Sequence, residues 1–537
     1  MKAAVQLQQF KKCLILFMVG IICSALAYAL YVINPIKALL EYKLQMAPGS
    51  TVFTIWQTPP IDIYIKVYIF NITNPTEFLN GEEKLKVQEI GPYVYKEILK
   101  NENVTWNDNG TMSYTPRRTV VYVPEMSVGD PEQDLVMVPN IPMLGITSAL
   151  RNAGFFVNFP LARLTNYLDS KPILNISVYE YLWGYEDPLV QLASGIVPKF
   201  INFQKFGLLD RMYDEGDNTV VMNIKKNENM TDEAGRYLSI ESFNGSPGLA
   251  YWGYVDVEGN ETNPANTMCN RVQGATEGCI FPDNLDRNAV FRVYRKAFCR
   301  TMPIVFKKEV VENGFPAYLY SLSDDFLETP DKNPDNECYC RKMEKCLKKG
   351  LTDVTPCYYN IPAALSLPHF LDADPTLLEG VEGLHPEEEK HRTKILLQPT
   401  VGIPLYVNSR LQTNLVMDHT VYNSRVTPFN DLTVPLFWTD LHIPNLPSDL
   451  LLLLRLCLQV LPVVQTVLIC LLGIVGVTTF FLSLIGSLWV LNQQQDEEDK
   501  KRKDSCDLRI PLGYGQYTAI RILPAIKKIT SKTDLFG

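Results

Sequence analysis

Residues Ile61–Pro75 read IDIYIKVYIFNITNP. Ile61, Ile63, Ile65, Val67 and Ile69 fall on one side of a period-two repeat. Asp62, Tyr64, Lys66, Tyr68 and Phe70 fall on the other, which is the alternation of a strand with one aliphatic and one mostly aromatic face. The strand runs into Asn71-Ile72-Thr73, an N-x-S/T acceptor that is glycosylated only in the secretory lumen. One stretch therefore predicts both β-structure and an extracytoplasmic position.

Upstream of it, Asn34-Pro35 opens a short helix with Ile36, Leu39, Leu40 and Leu44 on one face, proline at the first helical position being pre-set for helix geometry. Before that, Cys13–Ile33 is an uncharged apolar run of 21 residues. At about 1.5 Å per residue it covers a hydrocarbon core of ~30 Å. Ala25-Leu26-Ala27 weakly resembles a cleavage site, but the run is long for a signal peptide, so an uncleaved anchor is the reading. At the far end Leu456–Leu491 is uncharged over 36 residues. Gln459, Pro462 and Gln465 make its first third less apolar, which places the second span near Thr466–Val490. Lys2, Lys11 and Lys12 flank one span and Lys500–Lys503 follow the other, so both termini are expected in the cytoplasm. The expected division is a tail at 1–12, a span at 13–33, an ectodomain at 34–449, a membrane-proximal segment with the second span at 450–491, and a tail at 492–537. All seven sequons, at Asn71, Asn103, Asn109, Asn175, Asn229, Asn244 and Asn260, lie within the ectodomain.

Composition fits a folded domain: 537 residues, 46% of them hydrophobic, with a net charge of −9. Between Asn34 and Asp449 there are 37 Lys and Arg against 52 Asp and Glu. An acidic ectodomain excludes nucleic acid as the main partner, since that would need a basic stripe. Seven of the twelve cysteines, Cys269, Cys279, Cys299, Cys338, Cys340, Cys346 and Cys357, crowd into 269–357. In an oxidising compartment that clustering reads as a disulfide framework, with one thiol left over. Zinc is disfavoured, because His is absent from the stretch and Lys342, Lys345, Lys348 and Lys349 oppose a dication. Cys13 and Cys506, beside the membrane and in the tail, are candidates for palmitoylation.

Further strands are expected at Val120–Val123, Leu135–Val138, Tyr237–Ile240, Tyr318–Leu322, Ile395–Gln398 and Leu411–Met417, separated by Pro, Gly and Asn turns. Short strands at irregular spacing point to a large antiparallel sheet or barrel. Ser148–Val197 lacks the alternation and reads as helical pieces broken at Pro160, Pro172 and Pro188. Phe155, Phe156 and Phe159 within it are either core or an exposed apolar port, with Lys171 following. No catalytic pattern is present: H-E-x-x-H, G-x-S-x-G and P-loop strings are all missing, and no cofactor is called for. His385 and His391 bracket Glu387–Glu389, but six-residue spacing does not put two imidazoles on one helical face, so no metal is assigned.

Eight strings, in order, are similar to the class B scavenger receptor family, the group of the fatty-acid translocase, the lysosomal integral membrane protein and the sensory neuron membrane proteins. They are VYIFNITNP (Val67–Pro75), IGPYVYKE (Ile90–Glu97), VPEMSVG (Val123–Gly129), LWGYEDP (Leu182–Pro188), FCRTMPIVF (Phe298–Phe306), NPDNECYC (Asn333–Cys340), SLPHFLDADP (Ser366–Pro375) and GLHPEEEKHRT (Gly383–Thr393). The resemblance implies an α+β architecture of two transmembrane helices flanking one ectodomain. That ectodomain would have an antiparallel β-barrel core, many short helices, an apical helical bundle around 148–197 and an internal hydrophobic tunnel. It also implies the pairs Cys269–Cys338, Cys299–Cys357 and Cys340–Cys346, with Cys279 lacking a counterpart. One departure from the family's cationic apex is plain. Arg151, Arg163, Lys171 and nearby Lys199 are matched here by Asp169, Glu180, Glu186 and Asp187.

The expected function is a scavenger or lipid receptor that captures apolar cargo (a lipid, sterol, carotenoid or lipoprotein-borne ligand) at Phe155, Phe156, Phe159 and Lys171. The cargo would then pass through the tunnel to the membrane. Partners are lipids or lipid-carrying particles, with a homo-oligomer allowed. An adhesion or phagocytic receptor and a two-span ligand-gated channel are the alternatives. The plasma membrane is the expected site, with lysosome or endosome as the variant, and Tyr517-Thr518-Ala519-Ile520 matches an endocytic pattern.

Overall fold

The computed structural model describes residues 2–199, 201–214, 216–226, 235–257, 263–340, 346–505, 509–512 and 516–519. The sequons at Asn229 and Asn260, Cys506 and the Ile520 end of the tail motif lie outside the described residues. The chain forms two compact units, Met1–Tyr42 with Leu452–Gly537, and Lys43–Leu451.

The first unit is built from two apolar helices, each long enough to cross a bilayer. Helix Lys2–Ile33 packs along helix Leu461–Ser505. Without a hydrophobic drive between helices in lipid, close approach and hydrogen bonding hold such a pair. Gly20 supplies the close approach: a Cβ there would meet the Gly476 carbonyl at 3.0 Å. Ser483 Oγ donates to the Cys13 carbonyl at 2.7 Å, and Phe17 and Phe480 lie 5.5 Å apart. A π-helical turn at Leu456–Val460 leads into the second helix, adjoining Pro462, which has no N–H to give the helical ladder.

The second unit is organised by one long antiparallel sheet. Its path runs Phe291–Tyr294, Thr301–Glu312, Phe315–Leu322, Lys394–Gln398, Ile403–Val416, Thr433–Ile443, Ile63–Ile72, Leu85–Trp106, Thr111–Tyr122, Val220–Asn223 and Ile240–Phe243. The two edges do not stay open. Ile240 exchanges hydrogen bonds with Ala275 (2.7 Å) and Gly274 (2.9 Å), while Thr276 does the same with Arg292 (2.7 Å) and Tyr294 (2.8 Å). The segment Gly274–Thr276 thus laces the first strand to the last, and a closed sheet has no edge to aggregate. In the strand Ile63–Ile72 the aliphatic set Ile63, Ile65, Val67 and Ile69 is buried, and its register is fixed by Ile65 opposite Leu441 and Tyr95. Phe70 departs from the alternation and is buried too, in edge-to-face contact with His369.

Helices and short strands cover the rest. Ile173–Ser177, expected within a run of helical pieces, is a strand paired with Leu135–Pro139. Its five residues are too few for the sequence alternation to show, and the partner decides it. Pro160 does not break its helix but lies inside Phe155–Tyr167. The carbonyl deprived of a donor belongs to Phe156, whose side chain is at the surface, where water can serve it. The strand expected at Tyr237–Ile240 begins only at Ile240, because Leu238 adopts φ +62°. Gly402 (φ +68°) accepts from the Phe281 amide, and a Cβ there would strike the Phe281 carbonyl, so only glycine fits. Disulfides Cys269–Cys338, Cys299–Cys357 and Cys340–Cys346 tie this half of the sheet to its loops. Closing loops of 69 and 58 residues stabilises by about 4 kcal/mol each on chain-entropy grounds.

Candidate functional site

The closed sheet is not filled to its centre. It encloses a cavity of about 140 Å³. A single water needs about 10–15 Å³ on this scale, so the space holds on the order of ten water-sized groups. Its wall is assembled from nearly every element of the sheet. The helix Thr51–Gln57 contributes Val52, Ile55 and Trp56. Ser50 caps that helix by accepting from the Phe53 amide at 3.1 Å, and Asn101 holds its end by donating to the Trp56 carbonyl at 2.9 Å. Inward positions of the strands add Ile63, Leu99, Met302, Ile304, Ile395, Val407 and Leu441. The chain between the barrel and the second apolar helix adds Leu446 and Leu450. The surface is mostly apolar because these are the inward-facing members of period-two strands.

One part of the wall is ionic. Within Leu85–Trp106, Tyr93, Tyr95, Glu97, Leu99 and Asn101 are all buried, so Glu97 is an inward-facing charge. Both its oxygens accept from Arg295 Nη2 at 2.9 Å, Tyr213 donates its hydroxyl at 2.9 Å, and Arg118 Nε stands 3.8 Å away. Burial alone would push this carboxyl up. The two guanidinium groups and the phenol outweigh burial and hold it below the usual carboxylate range, so it stays ionised. Glu277 lies on the other side of Arg118, 3.6 Å from Nη2, and accepts from Tyr114 at 2.5 Å. Cys279, the ectodomain cysteine outside the three bridges, lines the same wall. Burial, then Glu277, pushes its thiol up to about 11, so it is protonated and a poor nucleophile.

The apical residues behave differently. Phe155, Phe156 and Phe159 are at the surface, with Phe156 89% exposed. Their rings form a cluster: Phe155 lies 5.7 Å from Phe156, 5.1 Å from Phe159 and 6.0 Å from Tyr422, and the Arg163 guanidinium covers Phe159 at 5.1 Å. Core packing is therefore not their role. Lys171 is exposed beyond the helix end, and among the described residues it makes no ring or ion-pair contact with the cluster. The apical charged residues have local duties. Asp187 caps Pro188–Ile196, Glu180 completes a capping box with Ser177, and Arg151 pairs with Asp418. Among the described sequons, Asn103, Asn109, Asn175 and Asn244 are exposed, whereas Asn71 is half-buried and its Oδ1 accepts from the Met137 amide at 2.7 Å.

The histidines singled out by sequence separate. His385 is exposed and lends its amide to His369 Nδ1 (3.0 Å); His391 stacks on His369 with centroids 4.4 Å apart, beside Glu89. A cation would need the two Nε2 lone pairs, but both Nδ1 atoms already accept backbone N–H groups, from His385 and from Glu387 (2.9 Å). The ring protons therefore sit on Nε2, where His369 donates to Glu89 at 2.6 Å alongside Trp438 at 2.7 Å. His369 and Glu89 thus form a hydrogen-bonded strut on which His391 stacks. Burial, reinforced by His369, pushes His391 down to about 4. Burial with Lys66 and Arg410 does the same for His442. The unfolded imidazoles take protons near pH 6.5 and the folded ones only near 4, so stability is fully present above about pH 6.5 and is lost as pH falls toward about 4. The buried His391 contributes at most about 3 kcal/mol of that loss, and the half-buried His442 somewhat less because solvent screens it. In melting curves across this range, His391→Gln is expected to remove about half of the acid-side slope. An unchanged slope contradicts the assignment.

A family model described as the CD36 family matches residues 13–487. Scavenger receptor class B member 1 of Sus scrofa is 29% identical over 425 residues, 78% of each chain. Its counterpart in Bos taurus is 29% identical over 427 residues, 79% of each. Lysosome membrane protein 2 of Homo sapiens is 30% identical over 377 residues, 70% of this chain and 73% of its own.

Proposed function

The chain belongs to the CD36 family, and from that premise we propose that it is a class B scavenger receptor that captures apolar cargo at its exposed phenylalanine cluster and carries it through the barrel to the membrane. The observation that carries this reading is the largely apolar cavity lined by the strands of the closed sheet. Each CH₂ kept from water is worth ~0.8 kcal/mol, so on the order of ten such groups sheltered there amounts to ~8 kcal/mol, enough to remove most of the barrier a lipid meets in crossing water. The transfer follows the ligand's own gradient and asks for no nucleotide. Leu446 and Leu450 of the lining lie a few residues before Leu452 in the sequence. Lipids or lipid-carrying particles are the partners in this reading. The plasma membrane is its site, with both termini cytoplasmic, and an endosomal or lysosomal membrane is the variant that fits the name of the human relative.

The channel alternative lacks support in the second apolar helix. Thr478 and Thr479 donate to their own helix, at 2.8 Å to Ile474 O and 2.7 Å to Val475 O, and Ser483 donates to Cys13 O. Each of these hydroxyl protons is thus given to a backbone carbonyl of the helix pair. Replacing Phe156 by Asp and Phe159 by Ser is expected to weaken binding of lipid-loaded particles by at least about tenfold, or ~1.4 kcal/mol, at equal surface expression. Undiminished binding would remove the phenylalanine cluster from the capture step.

A further inference from the structure

A second, smaller cavity, of about 40 Å³, lies farther along two of the strands that wall the large one. The strands Ile403–Val416 and Thr433–Ile443 set the order. Ser409 opposite Leu441 lines the large cavity, Thr413 opposite Phe437 lines the small one, and Leu411 opposite Thr439, the pair between them on the same inward parity, lines neither. At about 3.4 Å per residue Ser409 and Thr413 stand ~14 Å apart, so a single cross-strand layer separates the two spaces. The buried apolar residues divide at the same place: Leu411 belongs to the cluster around the large cavity and Leu415 to the other. Other elements complete the layer. Met212 lines the small cavity, and its neighbour Tyr213 donates to Glu97 on the wall of the large one at 2.9 Å. Tyr358 of the small cavity donates to the Ala297 carbonyl at 2.5 Å, beside Phe298 of the large one.

We propose that Leu411 and Thr439 form a gate between two chambers of one conduit, with Leu411 as the residue that decides which cargo crosses: single flexible alkyl chains pass and fused-ring lipids are held back. The inference rests on the reading of the barrel as a lipid conduit. On the apical side the helix Ile141–Ala149 leads to the small chamber. Ile141 lines that chamber, while Thr147 lines a pocket shared with Tyr422, whose ring lies 6.0 Å from Phe155. At the gate, Leu411 is buried and Thr439 half-buried, on strands whose pairing belongs to the closed sheet. Parting those strands would expose the edges that closure removes, so the opening comes from side chains. A change of Leu411 rotamer frees the width of its own isobutyl group. An alkyl chain fits that width and turns about its own bonds as it threads. A sterol's fused rings are wider and do not bend.

The test measures uptake by cells displaying equal amounts of the full-length protein, with uptake by cells lacking it subtracted. One preparation of particles carries both probes, radiolabelled hexadecanol and radiolabelled cholesterol. Leu411→Ala, which leaves the layer open, is expected to raise cholesterol uptake at least about threefold more than hexadecanol uptake. Thr439→Phe, which narrows the layer from the opposite strand, is expected to lower uptake of both at least about tenfold, with particle binding intact. A cholesterol-to-hexadecanol ratio unmoved in Leu411→Ala, or uptake unmoved in Thr439→Phe, overturns the gate. The conduit then still stands if Ser409→Trp, which fills the large cavity itself, blocks uptake. Undiminished uptake in Ser409→Trp overturns the conduit and the gate with it. Should Leu411→Ala fail to reach the surface, Leu411→Val makes the smaller opening and the same ratio decides.

Discussion

Cells expressing Ser409→Trp are expected to take up little or no lipid while still binding lipid-loaded particles at their surface. Ser409 lies on the strand Ile403–Val416, directly opposite Leu441 of Thr433–Ile443, and both line the cavity. An indole there enters existing empty space, so the usual penalty of about 1–3 kcal/mol for enlarging a packed core should be at its small end. Its effect on the ligand is much larger. Excluding even five methylenes removes ~4 kcal/mol of shelter, roughly a thousandfold in occupancy. Ser409→Ala serves as the control, since it changes the chemistry without filling the space. Particle binding depends on the exposed rings of Phe155, Phe156 and Phe159 and should persist. If uptake were unaffected, the cavity would be incidental, and the adhesive or phagocytic reading would gain what the transport reading lost.

Glu97→Leu is expected to leave little folded protein. The substitution takes from the buried Arg118 and Arg295 guanidinium groups the carboxylate that both face, and breaking a buried ion pair from one side costs ~3–5 kcal/mol. Set against a total stability of roughly 5–15 kcal/mol, that is a large share. The readouts are retention of immature glycans and a fallen melting temperature. Partial recovery is expected on adding Arg295→Leu, which removes the guanidinium that donated to both Glu97 oxygens. The same pair sets an acid limit. Because the folded carboxyl of Glu97 lies below its unfolded value, its contribution is complete above the ordinary carboxylate pKa of about 4.3 and disappears as pH falls through the lower folded value. Normal surface delivery of Glu97→Leu would mean that the ionic wall is dispensable to the fold.

Much of this architecture was legible in the sequence, for reasons that particular residues make clear. Ile63, Ile65, Val67 and Ile69 announced a strand because period two is local, and two long uncharged runs announced the apolar helices because hydropathy is local as well. The strand Ile173–Ser177 was not legible, since its identity depends on Leu135–Pro139 across a gap in sequence. Neither was the lacing of the barrel by Gly274–Thr276, which reads as an ordinary turn. The phenylalanines at 155, 156 and 159 could have been core or surface, and only the packing of their helix distinguishes the two. The buried ionic group of Glu97, Glu277, Arg118 and Arg295 was missed altogether, although one signal existed. Glu97 occupies the same parity as Tyr93, Tyr95 and Leu99, while Lys96 and Lys100 take the other, so the alternation itself marked an inward charge. Its partners come from strands and loops as distant as Arg295, a pairing that no spacing rule anticipates.

The central claim is that the barrel holds lipid, and mass spectrometry of the intact protein released gently from detergent tests it most directly. Wild-type protein is expected to carry adduct masses of one or more lipids that survive release, and Ser409→Trp, folded and glycosylated alike, to carry none. Equal adducts on both proteins, or none on the wild type, would contradict the account.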